Sequence, residues 1–371
     1  MNQSFAQLTS TSRKSIRLAR RWLARGLRLL VAFAIVLIAV GPATLGPLDQ
    51  LERLHAYTRN QEFDYVTWIV SALADKLAMS ALGATNYLPS SHQHALVVEY
   101  LQRISKRAHL QNQVAAMYAD PKVKQPQAAS GELRQKIAEE TARLAQIGPI
   151  AESILQDQVS EVIGSLNISL GGQPIPPVWY QTTALPPALI VSPRNVIRTE
   201  NDISLNPDIS LGQIDTLENQ ISTALDVSAL VVPVGGIGVY PTMVEESSDL
   251  SWLADTIAHE WTHNYLTLHP LGLNYETSPE LRTMNETTAN IVGFEVGHLV
   301  IQKYYPELLP QEVPNNPAPA NANQPGEFNF RAEMHTTRVH VDQLLAKGKV
   351  VEAENYMESR RGFFYEHGYA I

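Results

Sequence analysis

The stretch Ala258-His259-Glu260-Trp261-Thr262-His263 decides how the chain reads. It is an H-E-x-x-H pattern. On a helix, His259 and His263 stand one turn apart on one face, so two imidazoles can bind one metal ion. Glu260 projects from nearly the same side and can take a proton from a water held there. Zinc suits these donors, because it favours nitrogen, sulfur and carboxylate ligands and keeps one position for water in catalytic sites. A helix is expected on local grounds: Asp249 or Ser251 can cap its start, and neither Pro nor Gly interrupts 249–268. Ala254, Ala258, Trp261 and Tyr265 form an apolar stripe opposite the histidines, which predicts burial against a sheet. The pattern also arises by chance at ordinary polar helix positions, so it needs a further ligand to carry weight.

Asn285-Glu286-Thr287-Thr288-Ala289-Asn290 supplies a candidate. Ser278-Pro279-Glu280 reads as a helix start, with Ser as N-cap and Pro at the first helical position. Glu286 then lies two turns in and becomes the candidate third ligand. Asn290 shares its face at i+4 and can hydrogen-bond a ligand histidine, fixing its ring. Gly293 and Gly297 continue that face and would let a second helix come close. Glu280 and Glu295 are weaker alternatives as ligands, and a solvated carboxylate is the plain alternative for Glu286 itself.

The segment Thr256–Tyr265 resembles the active-site helix of the gluzincin metallopeptidases, the thermolysin-like group, in which H-E-x-T-H is a frequent form. The Asn-Glu-x-x-Ala-Asn stretch is similar to that group's second signature, where Asp more often stands in the place of Asn290. The spacing from His263 to Glu286 is somewhat longer than in that group, and the resemblance covers 249–298 only. It implies a zincin-like catalytic domain with a small β-sheet, Zn²⁺ on His259, His263 and Glu286, and Glu260 as the catalytic base in hydrolysing a peptide or protein substrate.

The rest of the composition narrows the chemistry. With 371 residues the chain holds one large domain or two smaller ones. It has no cysteine, so disulfides, thiol nucleophiles and thiolate metal sites are excluded. It has no G-x-S-x-G, and no glycine-rich phosphate loop follows a strand. The net charge is −9 although residues 1–28 carry seven basic groups, from Arg13 to Arg28, and no acid. The body is therefore strongly acidic, which argues against nucleic acid as a partner.

The basic start runs into Leu29–Leu48, which carries no charge and is near the ~20 residues a spanning helix needs. The expectation is a single-pass anchor, with 1–28 cytoplasmic and the body exported. A cleaved signal peptide, leaving a secreted protein, is the alternative, and an organelle transit peptide also fits the acid-free start. Residues 49–170 read as a helical region with patterns over 61–82, 92–117 and 131–166, the last broken at Gly148-Pro149. The first of these is apolar enough to be buried or to lie on a membrane surface. His92 and His94 read as a surface pair at a helix start. Gly171-Gly172 and the prolines after them mark a boundary, and 171–371 reads as the catalytic domain.

In that domain, strands are expected at 178–180, 188–191 and 230–234, with a helix over 215–225. Gly235 to Tyr240 is either a cleft-edge strand against which an extended substrate lies or a plain glycine hairpin. Residues 306–329, rich in Pro and Asn, form a linker. Two helices follow, over 330–346 and 350–365. A transition-state donor is needed opposite the metal, and His335, Arg338, Tyr365 and His367 are its candidates. The fold class expected is thus α+β, mostly helical. The function expected is a membrane-anchored zinc metallopeptidase, with a catalytically inactive zincin-like binding or scaffold protein as the alternative. A structural membrane protein carrying a fortuitous motif is the third reading.

Overall fold

The computed structural model describes residues 50–120, 122–166, 168–169, 171–309 and 328–369. The basic segment 1–28, the apolar run 29–48 and most of the linker 306–329 lie outside them. Among the described residues the fold is mostly helical α+β with two small sheets. The chain divides into two units, 1–59 and 60–371. In the first, the described part is helix α1 (Gln50–Thr58).

In the second unit, α2 (Tyr65–Leu82) starts on Asp64, whose carboxylate accepts from the Thr67 amide at 3.1 Å, and stops at Gly83 in the left-handed conformation. With the turn to Tyr87 it is long and apolar enough to cross a membrane. Helices α3 (Ser90–Ala119) and α4 (Gly131–Ser165) form a long pair. The break expected at Gly148-Pro149 does not occur, and α4 runs through Pro149. An interior proline costs about 3 kcal/mol. Leu144, Ile147, Ala151, Ile154 and Leu155 are buried on both sides of it. At roughly 1.5–3 kcal/mol for each large aliphatic, their burial outweighs the broken backbone bond.

The sheets are short. In one, β2 (Ala188–Pro193) lies between β3 (Asn201–Ser204) and β4 (Val227–Val232), all antiparallel. Helix α5 (Leu211–Leu225), begun by a Ser210–Gln213 capping box, packs on β4. In the other, β1 (Tyr180–Thr182) runs parallel to β6 (Thr242–Val244), and β5 (Gly236–Ile237) pairs antiparallel with β6 and forms the sheet edge. Two of these strands, β3 and β6, were not expected from sequence.

Helix α6 (Leu250–Leu266) carries the H-E-x-x-H residues, and α7 (Pro279–Tyr304) carries Glu286. Their caps are the expected ones: Asp249 accepts from the Trp252 amide, and Ser278 from the Leu281 amide with Pro279 at the first helical position. Ala254, Ala258 and Trp261 are buried in one core that also takes residues from α3, α4, β1 and α7. The change of composition near residue 170 therefore does not interrupt the core. Helices α8 (Phe330–Leu345) and α9 (Val350–Glu366) form a hairpin with a small core of its own around Val341, Leu345 and Ala353.

Candidate metal centre

Helices α6 and α7 approach each other at glycines. A Cβ on Gly293 would stand 2.8 Å from the Asp255 carbonyl oxygen and 3.1 Å from the His259 Cβ. One on Gly297 would meet the Asp255 side chain, and its amide nitrogen at 2.9 Å. The missing side chains bring α7 against the first turns of α6, and Glu286 reaches the histidines from two turns further along.

Three donor atoms converge. The Nε2 atoms of His259 and His263 are 3.1 Å apart. Glu286 Oε2 lies 3.7 Å from the first and 3.6 Å from the second. Ligands at 2.0–2.1 Å around a tetrahedral ion are about 3.3 Å from one another. The triangle thus has metal-site dimensions. Glu260 also belongs to the cluster: donor atoms of His259, Glu260 and His263 lie within 4.8 Å of one another. This His-Glu-His group can hold a metal ion.

Surrounding hydrogen bonds fix the rings. The His263 Nδ1 is 2.7 Å from Oδ1 of the buried Asn285. An amide oxygen only accepts, so Nδ1 carries a proton, and in the neutral ring Nε2 keeps its lone pair for a metal. Asn290 is near enough to His259 to favour its charged form. Tyr275 donates to Glu286 Oε1 at 2.6 Å, which leaves Oε2 facing the histidines. The charged form of His263, with Nε2 3.6 Å from Oε2, holds the Glu286 carboxyl down to about 2, burial opposing and Tyr275 adding. Burial lowers His259, and the neighbouring His263 lowers it further. For His263 burial acts the same way, but the bond and charge of Glu286 win and raise it.

Glu260 is buried, and burial pushes its carboxyl up to about 7, with His263 opposing and Glu286 adding. It lies under the glycine tract. A Cβ on Gly236 would come within 2.7 Å of Glu260 Cγ, and one on Gly238 within 2.9 Å of His263 Cβ. Those glycines make room for the site itself as well as for anything lying in the cleft. Asn264 ties the tract to α6, donating to the Val239 carbonyl at 3.1 Å and to the Thr242 hydroxyl at 3.2 Å. The result is a strand edge, β5, followed by a tight turn in which the Val239 amide donates to Ile237.

The site opens into a cleft of about 530 Å³ between β5, the end of β3 and the two helices. His335, Arg338, Tyr365 and His367 are not among its lining residues. They sit on and just after the α8–α9 hairpin: Arg338 pairs with Asp342, His367 stacks on Phe328 at 4.3 Å, and Tyr365 is exposed. The donors the cleft presents are Tyr275 and Tyr65, the latter with its hydroxyl 2.8 Å from Ser204 Oγ. Sequence reasoning missed both, and Asn285 too. Asn285 was signalled only by its place beside Glu286. Tyr275 sits in the connection between α6 and α7, and Tyr65 is distant in sequence. Glu280 and Glu295, the alternative ligands, lie on exposed parts of α7. His94 is half-buried, bonded to Glu307 and stacked on Tyr305 at 5.2 Å.

No protein-family model, no curated protein and no solved structure matches this chain.

Proposed function

We propose that the protein is a membrane-anchored zinc metallopeptidase of zincin-like fold, with His259, His263 and Glu286 as the zinc ligands and Glu260 as the catalytic base. The observation that carries the reading is the compact triangle of two Nε2 atoms and Glu286 Oε2, with the buried Glu260 carboxyl group beside it. Two neutral imidazoles and one carboxylate form a donor set that zinc favours. Zinc there would polarise the scissile carbonyl and make a water nucleophilic near neutral pH.

The chain's own residues do the rest. Glu260, held near neutrality by burial, takes the proton of the attacking water and passes it to the departing amine. Asn285, Asn290 and Tyr275 keep the ligand atoms aimed. The β5 edge lines the cleft and offers backbone groups to an extended peptide. Tyr65, whose hydroxyl can accept from Ser204, is the hydroxyl donor within the cleft for a developing oxyanion, the Tyr275 proton being held by Glu286.

The test uses the full chain. It should carry about one zinc and hydrolyse an unstructured protein substrate in a chelator-sensitive way. Glu260→Gln should keep the zinc and lose hydrolysis by at least ~10³-fold, and His263→Ala should lose the metal. Unchanged metal content in His263→Ala would reject the ligand assignment. Zinc-loaded wild type that cleaves nothing would favour the inactive scaffold reading instead.

A further inference from the structure

Helix α2 has two unlike faces. One is committed to the body: Ala72 and Lys76 are buried, and Lys76 forms a buried ion pair with Glu152 of α4. The other is an open aliphatic stripe. Val66, Val70, Ala74, Leu77 and Ala81 follow one another at steps of three or four residues, so they share a face. All are exposed, and Val66, Val70 and Leu77 are 74, 65 and 57% accessible. Leu82 and Tyr87 extend the apolar surface at the far end with 67 and 84%. The sector between Val66 and Ala78 around the helix axis holds Thr67 as its one polar residue and carries no charge.

We propose that this face of α2 lies in the surface of a lipid bilayer, parallel to it, and that the cleft entrance is thereby held beside the membrane. Three observations point to lipid. The helix has the hydropathy and length of a membrane-crossing one, yet the buried ion pair on its inner face ties it along the body, so only the outer stripe can meet hydrocarbon. The stripe is aliphatic and uncharged over about four turns, whereas surface helices of soluble bodies carry polar groups there. The uncharged run 29–48 ends at Leu48, and the chain between it and Tyr65 reaches at most ~60 Å even fully extended. A bilayer holding that run is therefore within reach of α2.

The consequence for the site comes from Tyr65. It is the first residue of α2 and it also lines the metal cleft. A bilayer along the stripe passes close to the cleft entrance. Resting on the peptidase reading above, this assigns a substrate class: peptide segments that emerge from or lie on the membrane surface, rather than free soluble proteins.

The chain has no cysteine, so single labels can be placed at will. Val70→Cys, Leu77→Cys and, as a control on exposed α5, Gln220→Cys would be made in the full chain. Each would carry an environment-sensitive fluorophore, and the protein would be reconstituted in phosphatidylcholine vesicles. Labels at 70 and 77 should shift to the blue and be quenched by brominated phosphatidylcholine, and the label at 220 should do neither. Equal, unquenched emission at all three positions in protein that floats with the vesicles overturns the proposal and leaves the anchor standing. A blue shift at 70 and 77 without lipid quenching assigns the stripe to a second copy of the chain and also overturns it. None of these readouts needs hydrolysis, so they stand or fall apart from the peptidase reading. For the substrate class, Val70→Asp/Leu77→Asp should cleave a free peptide as wild type does and a lipid-linked copy at least ~10-fold more slowly. Equal loss on both, or on neither, refutes it.

Discussion

Gly293→Ala tests the proposal that two helices share one metal. The added methyl would sit 2.8 Å from the Asp255 carbonyl oxygen and 3.4 Å from the His259 amide nitrogen, both backbone atoms of α6. Backbone cannot rotate away as a side chain can, so α7 must shift off α6. Overpacking of this kind costs about 1–3 kcal/mol. The better helix propensity of alanine returns roughly 0.5–1 kcal/mol. The net expectation is a loss of about 1–2 kcal/mol, a fall of several degrees in Tm. The same shift withdraws Glu286, two turns away on α7, from the histidine pair, so zinc affinity should fall at least ~10-fold. Gly362→Ala is the matched control. It lies inside α9 with nothing within 4 Å of the added Cβ. There only the propensity gain acts, and the variant should be about 0.5–1 kcal/mol more stable with unchanged zinc affinity. Thermal melts with and without zinc, and zinc titration against a competing chelator, read both quantities. A Gly293→Ala protein as stable and as metal-avid as wild type would refute the close-approach argument.

Other outcomes follow from single contacts. Gly236→Ala places a Cβ against the buried Glu260 carboxyl group, which must move while no ligand is touched. kcat should drop ~10²-fold with zinc content intact, and normal turnover would show that Glu260 is not positioned by the glycine tract. Tyr275→Phe removes the 2.6 Å bond to Glu286 and should weaken zinc binding ~10-fold in the chelator competition. On the acid side, Lys106 holds the Glu140 carboxyl below its ordinary 4.5, burial opposing and Arg103 adding. Its folded-state pKa is depressed, so its contribution to stability is full above about 4.5 and is lost as pH falls through the lower folded value. Denaturation at pH 6 and pH 3.5 should therefore show a smaller acid loss in Glu140→Gln than in wild type, and an identical loss would remove Glu140 from the account.

What the sequence disclosed and what it hid divide along a physical line. The two helices of the proposed metal site were legible because their information is local: Asp249 and Ser278 cap them, Pro279 starts one, and a four-residue spacing puts His259 over His263. The close approach at Gly293 and Gly297 was legible too, because glycine on a ligand-bearing face has few other uses in a helix. The hydroxyl donors were not. Nothing within α2 says that Tyr65 will face the cleft, since it gets there through the long-range pairing of Phe63 and Ser204. The search for a donor among His335, Arg338, Tyr365 and His367 followed residue type, and type without tertiary position led to the α8–α9 hairpin. The proline in α4 went astray for the same reason, because propensity was read without the core that holds both sides of the helix. Asn285 shows the limit most closely. Two asparagines flank the ligand, at 285 and 290, and helical periodicity selected the one sharing the Glu286 face. The structure sets Asn285 on the His263 Nδ1 and Asn290 beside His259, so each of two histidines one turn apart has its own neighbour on α7. A two-histidine site carried on one helix thus asks for two supporting positions on its neighbour, about a turn apart and not on a single stripe, and a search for one face alone finds only half of them.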